Sequence, residues 1–297
     1  MRIQSRRQPT FWIVLFLLPT IVLYGLYTIY PAVMTLWYSV FDINGFSAES
    51  TFIGLDNYRE LFSDSLFWNS LKNTFLFLLY AVPGRFVISL LLALLLTWKL
   101  CPFKSFFRTL VFIPVVTTGA IIGTIMVMIF DPGNGPVNAA LSLFGLETDI
   151  SFLGNANTAL FTSAVIWIWK WVGTSLIYWI ASLQSIPDEL YEAATIDGAG
   201  AWKRFRYITA PLLIPYGIVI LVLTISDALR VFDLMLTLTG GGPFYRTEVM
   251  EIFIYRHAFG SSVPRIGYAS AAATVFGVIF VFMTLLQSAT KKLRNRG

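Results

Sequence analysis

Long apolar runs separated by short polar segments dominate this sequence of 297 residues. Six of the runs are long enough to cross about 30 Å of hydrocarbon as α-helices. Their apolar residues do not alternate with polar ones, as the strands of a membrane barrel require. The pattern therefore predicts an all-α membrane protein that forms a single transmembrane domain over residues 1–297. The six predicted transmembrane helices cover about residues 11–31, 74–98, 106–130, 159–183, 211–238 and 268–287.

The composition excludes an ordinary soluble domain, because 57% of the residues are hydrophobic and only 12% are charged. The first apolar run is too long for a secretory signal peptide and lacks a small-residue cleavage site, so it is expected to be a retained helix. The chain has one cysteine and one histidine, so no metal site built from these residues is predicted.

The excess of basic residues falls on one predicted side of the membrane, and acidic or mixed loops lie on the other. Because cytoplasmic loops hold the excess of Lys and Arg, both termini are predicted to be cytoplasmic. This sidedness also explains the net charge of +5, so no nucleic-acid partner is predicted. The basic residues on the predicted cytoplasmic side are Arg2, Arg6, Arg7, Lys99, Lys104, Arg108, Lys203, Arg204, Arg206, Lys291, Lys292, Arg294 and Arg296. The acidic residues of the first two loops on the opposite side are Asp42, Glu49, Asp56, Glu60, Asp64, Asp131, Glu147 and Asp149.

Ionisable residues also lie inside the predicted helices, where a charge that faces lipid is costly and therefore usually faces the bundle or a cavity. In the fifth helix the spacing of Asp227, Arg230 and Asp233 predicts a charge ladder along one face. This face is either a structural ion pair or part of a solute pathway. The pathway hypothesis assigns to this helix Thr224, Asp227, Ala228, Arg230 and Val231. The other two ionisable residues are Arg85 and Lys170.

The fourth predicted helix is rich in aromatic residues, which can stack on the apolar faces of sugar rings. Aromatic residues also gather at membrane interfaces, so packing or anchoring is the alternative for most of them. The pathway candidates nearest the middle of the membrane are Trp171, Gly173, Ser175 and Leu176. Lys170 and Arg230 also supply positive charge that would attract an anionic solute, such as a uronate oligosaccharide or a glycerol phosphate.

A polar island between the fourth and fifth helices is predicted to form a loop over residues 187–210. Pro187 and Asp188 favour a helix start, Gly198 favours a break, and Pro211 opens the next apolar run. The island therefore predicts a helix–turn–helix outside the bilayer. Its first helix is amphipathic, and its alanines allow the close approach of a partner.

The island carries the pattern Glu-Ala-Ala, three residues, Gly, nine residues, Ile, one residue, a short apolar residue and Pro. This pattern resembles the coupling-loop signature of ABC importer permeases, with Ala210 where the family usually has Leu. In that family the loop docks into a groove on a cytoplasmic ATPase, and an ordinary amphipathic connector is the alternative. The resemblance assigns the docking role to Glu192, Ala193, Ala194, Asp197 and Gly198. Residues 187–210 are called the coupling loop below.

Two outer segments resemble the first of the two permeases in maltose-type, carbohydrate ABC importers. The first segment carries Gly54, Leu55, Asn57, Tyr58, Asn73 and Thr74. In the second, three glycines and a proline predict a break and a tight loop after the fifth helix. It carries Thr239, Gly241, Gly242, Pro243, Thr247, Tyr255, Ala258 and Phe259. The resemblance implies six transmembrane helices in the type I ABC importer permease fold, with a cytoplasmic coupling helix, in a bacterial or archaeal cytoplasmic (inner) membrane.

The chain has no Gly-rich phosphate-binding loop with its lysine, so it is not expected to be the ATPase. An intramembrane enzyme is not expected either, because the only acidic pair within the runs, Asp227 and Asp233, is six residues apart and does not share a close helical face. The resemblance implies that ATP and Mg bind a separate cytoplasmic ATP-binding subunit, which acts as a dimer, and that this chain binds no cofactor. It also implies a second permease in a heterodimer, an extracytoplasmic solute-binding protein and membrane lipid as partners. The predicted function is the permease subunit of an ATP-driven importer for a sugar or oligosaccharide. The alternative is an ion-coupled secondary transporter that uses the charges of the fifth helix as its relay.

Overall fold

The computed structural model describes residues 10–45, 50–98, 102–145 and 150–294. This part of the chain is mainly helical and includes one short antiparallel sheet of β1 (Phe41–Ile43) and β2 (Ser50–Phe52). The helices are α1 (Thr10–Tyr24), α2 (Tyr30–Tyr38), α3 (Asp56–Ser63), α4 (Ser65–Thr97), α5 (Lys104–Val116), α6 (Gly119–Ile129), α7 (Pro136–Leu143), α8 (Ala159–Gln184), α9 (Asp188–Ile196), α10 (Ala201–Arg204), α11 (Ala210–Leu229), α12 (Asp233–Leu238), α13 (Met250–Tyr255) and α14 (Ile266–Arg294). Charged residues used to predict orientation that lie outside the described residues are Arg2, Arg6, Arg7, Glu49, Lys99, Glu147, Asp149 and Arg296.

Five helical segments of the described chain are long and apolar enough to cross a membrane, and a bent pair of helices supplies a sixth span. These segments are Trp12–Tyr38, Ser65–Thr97, Ala159–Gln184, Ala201–Leu229 and Ile266–Leu285. The first of them has no buried residue within its apolar window. Its large apolar side chains are exposed on this chain and require lipid or another subunit to cover them.

The predicted third span, residues 106–130, is a bent pair rather than one straight helix. α5 and α6 are separated by a short break and differ in direction by 102°. Pro114 lies in the last turn of α5 and has no amide to donate. Thr118 then caps α6, because its hydroxyl accepts the amide of Ile121 at 3.4 Å. The prediction of a continuous helix is therefore corrected, since a weakened helix end meets a new helix start.

The predicted fifth span, residues 211–238, is also broken. α11 ends at Leu229, the backbone of Arg230 leaves the helical region with φ −104° and ψ 41°, and α12 begins at Asp233. Residues three apart share a face only within one continuous helix. The predicted ladder of Asp227, Arg230 and Asp233 along one helix face is therefore wrong.

Backbone contacts divide the chain into two compact units, where the sequence predicts one domain: a central unit of residues 65–253 and 284–297, and a terminal unit of residues 1–64 and 254–283. In the central unit α4, α8 and α11 pack on one another. Aromatic side chains meet edge to face between α4 and α8. Phe77 and Trp167 have ring centroids 5.8 Å apart. These three helices form the frame of the site described below.

The terminal unit is organised by polar contacts near the sheet. The side-chain amide of Asn57 donates to the carbonyls of Ser39 at 2.9 Å and Phe41 at 3.0 Å. Arg265 binds Glu60 through both guanidinium nitrogens, with Nη1 2.7 Å from Oε1. The hydrogen bond from Arg265 holds the pKa of the Glu60 carboxyl below its ordinary value.

Candidate functional site

The coupling loop has the helix–turn–helix backbone that the sequence predicts. α9 begins at Asp188 and ends in a Schellman motif. The amide of Gly198 donates to the carbonyl of Thr195 at 3.1 Å, and the amide of Ala199 donates to that of Ala194 at 2.8 Å. Gly198 has φ 74°, in the left-handed region that favours glycine. The predicted break at Gly198 is confirmed.

The residues assigned to ATPase docking lie on an open surface of this chain. Glu192, Ala193, Asp197 and Gly198 are exposed, and Ala194 is half-buried. Small side chains beside carboxylates leave this face of α9 both accessible and negatively charged. The arrangement suits the close approach of another protein.

The opposite face of α9 is tied to the segment that leads into α11. Tyr191 is half-buried against the apolar core, and its hydroxyl lies 2.9 Å from the hydroxyl of Thr209. One helical turn later, Nη1 of Arg204 donates to the hydroxyl of Thr195 at 3.1 Å. Thr209 is buried in a π-helical turn directly before α11. α9 is therefore joined to the base of α11 through side-chain bonds as well as through the backbone.

A cleft of about 1110 Å³ lies beside α9. Its wall combines apolar side chains, such as those of Trp98 and Ile186, with the carboxylates of Asp188, Glu189 and Glu192. The cleft therefore extends the acidic surface of the coupling loop towards the end of α4.

A second cavity, of about 210 Å³, lies where α11 and α12 are separated by the break at residues 230–232. Four predicted pathway residues line it: Trp171, Asp227, Arg230 and Val231. It is also lined by Gly119, Trp167, Lys170, Phe232, Asp233 and Leu234. Two acidic and two basic side chains thus converge with indole rings on one small volume. Such a set of groups can bond hydroxyls and stack on a sugar ring.

The other predicted pathway residues do not line this cavity. Leu176 and Ala228 are buried in the apolar core. Thr224 donates its hydroxyl to the carbonyl four residues earlier at 2.7 Å. Ser175 is fully buried, and Gly173 lies against the backbone of α5. Their positions are those of packing residues behind the cavity wall.

An ion pair that the sequence does not reveal holds one of the cavity carboxylates. Nη1 of Arg85 on α4 donates to Oδ2 of Asp227 on α11 at 2.9 Å. The Arg85 side chain is 1% exposed, and its guanidinium lies 5.1 Å from the ring centroid of Trp167. The Asp227 side chain is 46% exposed. Arg85 therefore fixes one carboxylate oxygen of Asp227 while the side chain stays accessible from the cavity.

Glu251 on α13, outside the candidate spans, was not singled out by the sequence. Burial raises the pKa of its carboxyl to about 7, the positive charge of Arg230 opposes part of that rise, and the negative charge of Asp233 adds to it. Glu251 is therefore coupled electrostatically to two residues of the cavity.

Parts of the two segments that resemble carbohydrate permeases are joined within the central unit. The side-chain amide of Asn73 donates to the carbonyls of Tyr245 at 2.8 Å and Glu248 at 3.1 Å. The hydroxyl of Thr74 accepts the amide of Met250 at 2.9 Å. Asn73 and Thr74 therefore hold the segment that follows the glycine-rich loop.

Cavity residues such as Gly119, Trp167 and Leu234 were missed by sequence reasoning. Gly119 and Leu234 lie beside the breaks in the third and fifth predicted spans. For the third span, Pro114 followed by Thr118 was the available signal. The break after Leu229 contains neither proline nor glycine.

Comparison with known proteins identifies the family. Residues 67–295 match the model described as binding-protein-dependent transport system inner membrane component. The chain belongs to this family. The permease is 38% identical over 275 residues to the probable ABC transporter permease protein YurN of Bacillus subtilis, which covers 92% of this chain and 93% of that one. It is 32% identical over 277 residues to the multiple sugar-binding transport system permease protein MsmF of Streptococcus mutans, which covers 93% of this chain and 94% of that one.

The permease is also similar to a solved structure. It matches a chain of the bacterial alginate ABC transporter crystallised with an alginate pentasaccharide-bound periplasmic protein, with a TM-score of 0.79 and 25% identity. The match covers 93% of this chain and 92% of that chain. The predicted ABC importer permease fold is confirmed. The permease is therefore an inner membrane component of a binding-protein-dependent transport system and not an enzyme.

Proposed function

We propose that the permease carries a sugar or oligosaccharide into the cytoplasm as one subunit of an ATP-driven importer. The observation that supports this proposal best is the coupling loop, whose docking residues are exposed on one face while the other face is bonded to the base of α11. A loop built in this way passes movement from an outside partner to a transmembrane helix. The chain has no phosphate-binding loop of its own to supply that movement.

The proposed assembly contains a dimer of ATP-binding subunits, which hold ATP and Mg, and a second permease in a heterodimer with this one. One coupling loop serves one ATP-binding subunit, so a dimer of those subunits requires a second loop. The exposed apolar helix from Trp12 to Tyr38 offers surface for lipid or the second permease. A solute-binding protein delivers the solute outside the cytoplasm, in a bacterial or archaeal inner membrane.

The 210 Å³ cavity is the proposed point of contact with the solute in this chain. Indole rings at Trp167 and Trp171 suit the apolar faces of a sugar, and Asp227 and Arg230 suit its hydroxyls. The relatives support a carbohydrate, because one is named for multiple sugar binding and the solved transporter for alginate. The alternative of an ion-coupled carrier gains no support from the family.

The test is recovery of partners from detergent-solubilised membranes of the native host, with a tagged permease and mass spectrometry. We expect an ATP-binding subunit and a second permease to co-purify. A Glu192→Lys variant, altered only on the exposed face of α9, is expected to lose most of the ATP-binding subunit and to keep the second permease. An Asn134→Lys variant, altered in an exposed loop away from α9, serves as the matched control.

Repeated recovery of the permease alone from mild detergent would contradict the proposed assembly. Equal recovery of the ATP-binding subunit with wild-type protein and the Glu192→Lys variant would contradict the docking role of the coupling loop only. The solute is then identified by screening the co-purified or neighbouring binding protein against sugars.

A further inference from the structure

A buried lysine contacts the bend between α5 and α6. Lys170 projects from α8 and is 2% exposed. Its Nζ donates to the carbonyl of Thr117 at 2.8 Å and lies 3.4 Å from the carbonyl of Pro114. The same ammonium lies 4.1 Å from the ring centroid of Trp171. A charge inside a membrane protein requires such partners, and the two carbonyls that lie within hydrogen-bond distance of this ammonium come from the bend.

The carbonyls that Lys170 contacts are those that the bend deprives of helical partners. In a continuous helix the carbonyl of Thr117 would accept the amide of Ile121. That amide instead donates to the hydroxyl of Thr118. The amide of Ile122 is the first in α6 to donate to a backbone carbonyl four residues earlier, that of Thr118, at 3.2 Å. Unpaired carbonyls give a helix end partial negative charge. The ammonium supplies both the donor and the opposite charge that this helix end lacks.

Small residues fix the distance that the lysine has to bridge. A Cβ added at Gly173, less than one turn after Lys170, would lie 2.6 Å from the carbonyl oxygen of Val111. The backbones of α8 and α5 are therefore in direct contact just before the bend. Beyond the bend, a side chain at Gly123 would overlap Thr237, so α6 is pressed against α12.

We propose that Lys170 is a positioning residue that fixes the bend between α5 and α6 and thereby places α6 as a wall of the 210 Å³ cavity. Its ammonium acts on the carbonyl end of α5 and not on an anionic solute. Gly119, the first residue of α6, lines the cavity as a consequence. The consequence for transport rests on the proposed function, whereas the effect on the bend does not.

The bend is measurable as a distance between spin labels on the two helices. Phe107 on α5 and Met128 on α6 are exposed and accept cysteine-linked labels once the only native cysteine is replaced, as Cys101→Ser. Each position lies about ten residues, or about 15 Å, from the break, so a 102° change of direction places the two backbones about 19 Å apart. A straight helix would place them about 30 Å apart. Pulsed electron paramagnetic resonance on the full-length chain in nanodiscs resolves this difference.

We expect a short, narrow distance distribution for the otherwise wild-type chain. Lys170→Met removes the donors and the charge at nearly constant length, and it is expected to shift a large part of the population by on the order of 10 Å towards the straight helix. Lys170→Arg keeps the positive charge and the donors and is expected to restore the short distance. Lys72→Met, on an exposed lysine of α4, is the matched control and is expected to change nothing.

A Lys170→Met variant with the same short, narrow distribution as the Lys72→Met control would overturn the proposal. If Lys170→Met does not give monodisperse protein, Lys170→Gln is measured in its place, because it removes the positive charge and shortens the side chain but keeps a polar end inside the bundle. A longer component in the Gln variant supports the proposal, and an unchanged distribution overturns it. No partner or solute is needed for this measurement, so its failure is distinguishable from failure of the proposed importer function.

Discussion

At the scale of single residues, the partner of a buried charge decides what that charge does. The sequence identifies Asp227 and Arg85 as ionisable residues within apolar runs, but it cannot pair them, because 142 positions separate them. Spacing alone favoured pairing Asp227 with Arg230, and that inference assumed a continuous helix. The structure pairs Asp227 with Arg85 across α4 and α11. Contacts between helices depend on packing, which local spacing does not encode.

The Arg85–Asp227 pair provides a test of whether Asp227 acts in structure or in transport. Asp227→Leu leaves the guanidinium of Arg85 buried without its carboxylate, so we expect the permease to lose about 3 kcal/mol of stability. The double variant Arg85→Met/Asp227→Leu removes both charges and is expected to recover most of that loss, because an apolar pair of similar volume substitutes well for an ion pair. Thermal unfolding in detergent measures both effects.

Transport by the double variant then separates the two hypotheses. We expect uptake of the solute held by the cognate binding protein to remain low in the double variant, because Asp227 also faces the cavity. Normal uptake together with recovered stability would assign the pair to structure alone. Arg59→Met/Asp56→Leu, which removes an exposed ion pair in the terminal unit, is the control for loss of charge by itself.

At the scale of elements, helix ends were predictable where glycine or proline marks them and not elsewhere. The start of α9 and the break at Gly198 follow from Pro187 and the left-handed glycine conformation. The loop after α12 follows from Gly240 and Gly241, which have φ 57° and 90°. The break after Leu229 has no such residue and was not predicted. It is visible only in the structure, where Arg230 and Asp233 face the cavity.

The bond between Tyr191 and Thr209 gives an element-scale prediction about coupling. Tyr191→Phe removes one hydroxyl and leaves the exposed docking face of α9 unchanged, so ATP hydrolysis by the assembled importer is expected to persist. Loss of a hydrogen bond worth about 1 kcal/mol is expected to lower the solute imported per ATP by roughly two- to fivefold. The measurement is uptake and ATP hydrolysis in the same proteoliposomes.

Matched variants isolate this bond from other effects. Tyr207→Phe removes a hydroxyl from an exposed tyrosine in the π-helical turn that also contains Thr209. It is expected to leave the amount of solute imported per ATP unchanged. Thr209→Val is expected to reproduce the Tyr191→Phe effect, and Thr209→Ser to retain coupling. An unchanged ratio in both Tyr191→Phe and Thr209→Val would show that the backbone alone carries the movement.

At the scale of the whole molecule, the fold class and the number of spans follow from hydropathy because lipid permits few architectures. Every backbone polar group must be bonded within the span, so long apolar runs become helices. The same argument cannot reveal bends, because the backbone carbonyls at a bend can also be hydrogen-bonded. The carbonyl of Thr117, for example, accepts a hydrogen bond from Nζ of Lys170. It cannot reveal the division into a central and a terminal unit either, because that division depends on contacts between distant segments.

Orientation in the membrane is a prediction of the whole molecule, and it rests on charge rather than on fold. We expect green fluorescent protein fused after Gly297 to fluoresce, because the basic C-terminal segment belongs on the cytoplasmic side. Alkaline phosphatase fused after Gly145, in a loop predicted to lie outside the cytoplasm, is expected to be active. The same two reporters exchanged between these sites are expected to be silent, which controls for expression.

The outcome also bears on the coupling loop, because residues 187–210 and the C-terminus are predicted to lie on the same side. An active phosphatase after Gly297 would place the loop outside the cytoplasm, where it has no access to an ATP-binding subunit. That result would contradict the proposed mechanism even if partners co-purified. The expected result instead brings the acidic face of α9 to the compartment that holds ATP. The orientation set by scattered Lys and Arg residues is therefore a physical precondition for the docking of Glu192 and its neighbours.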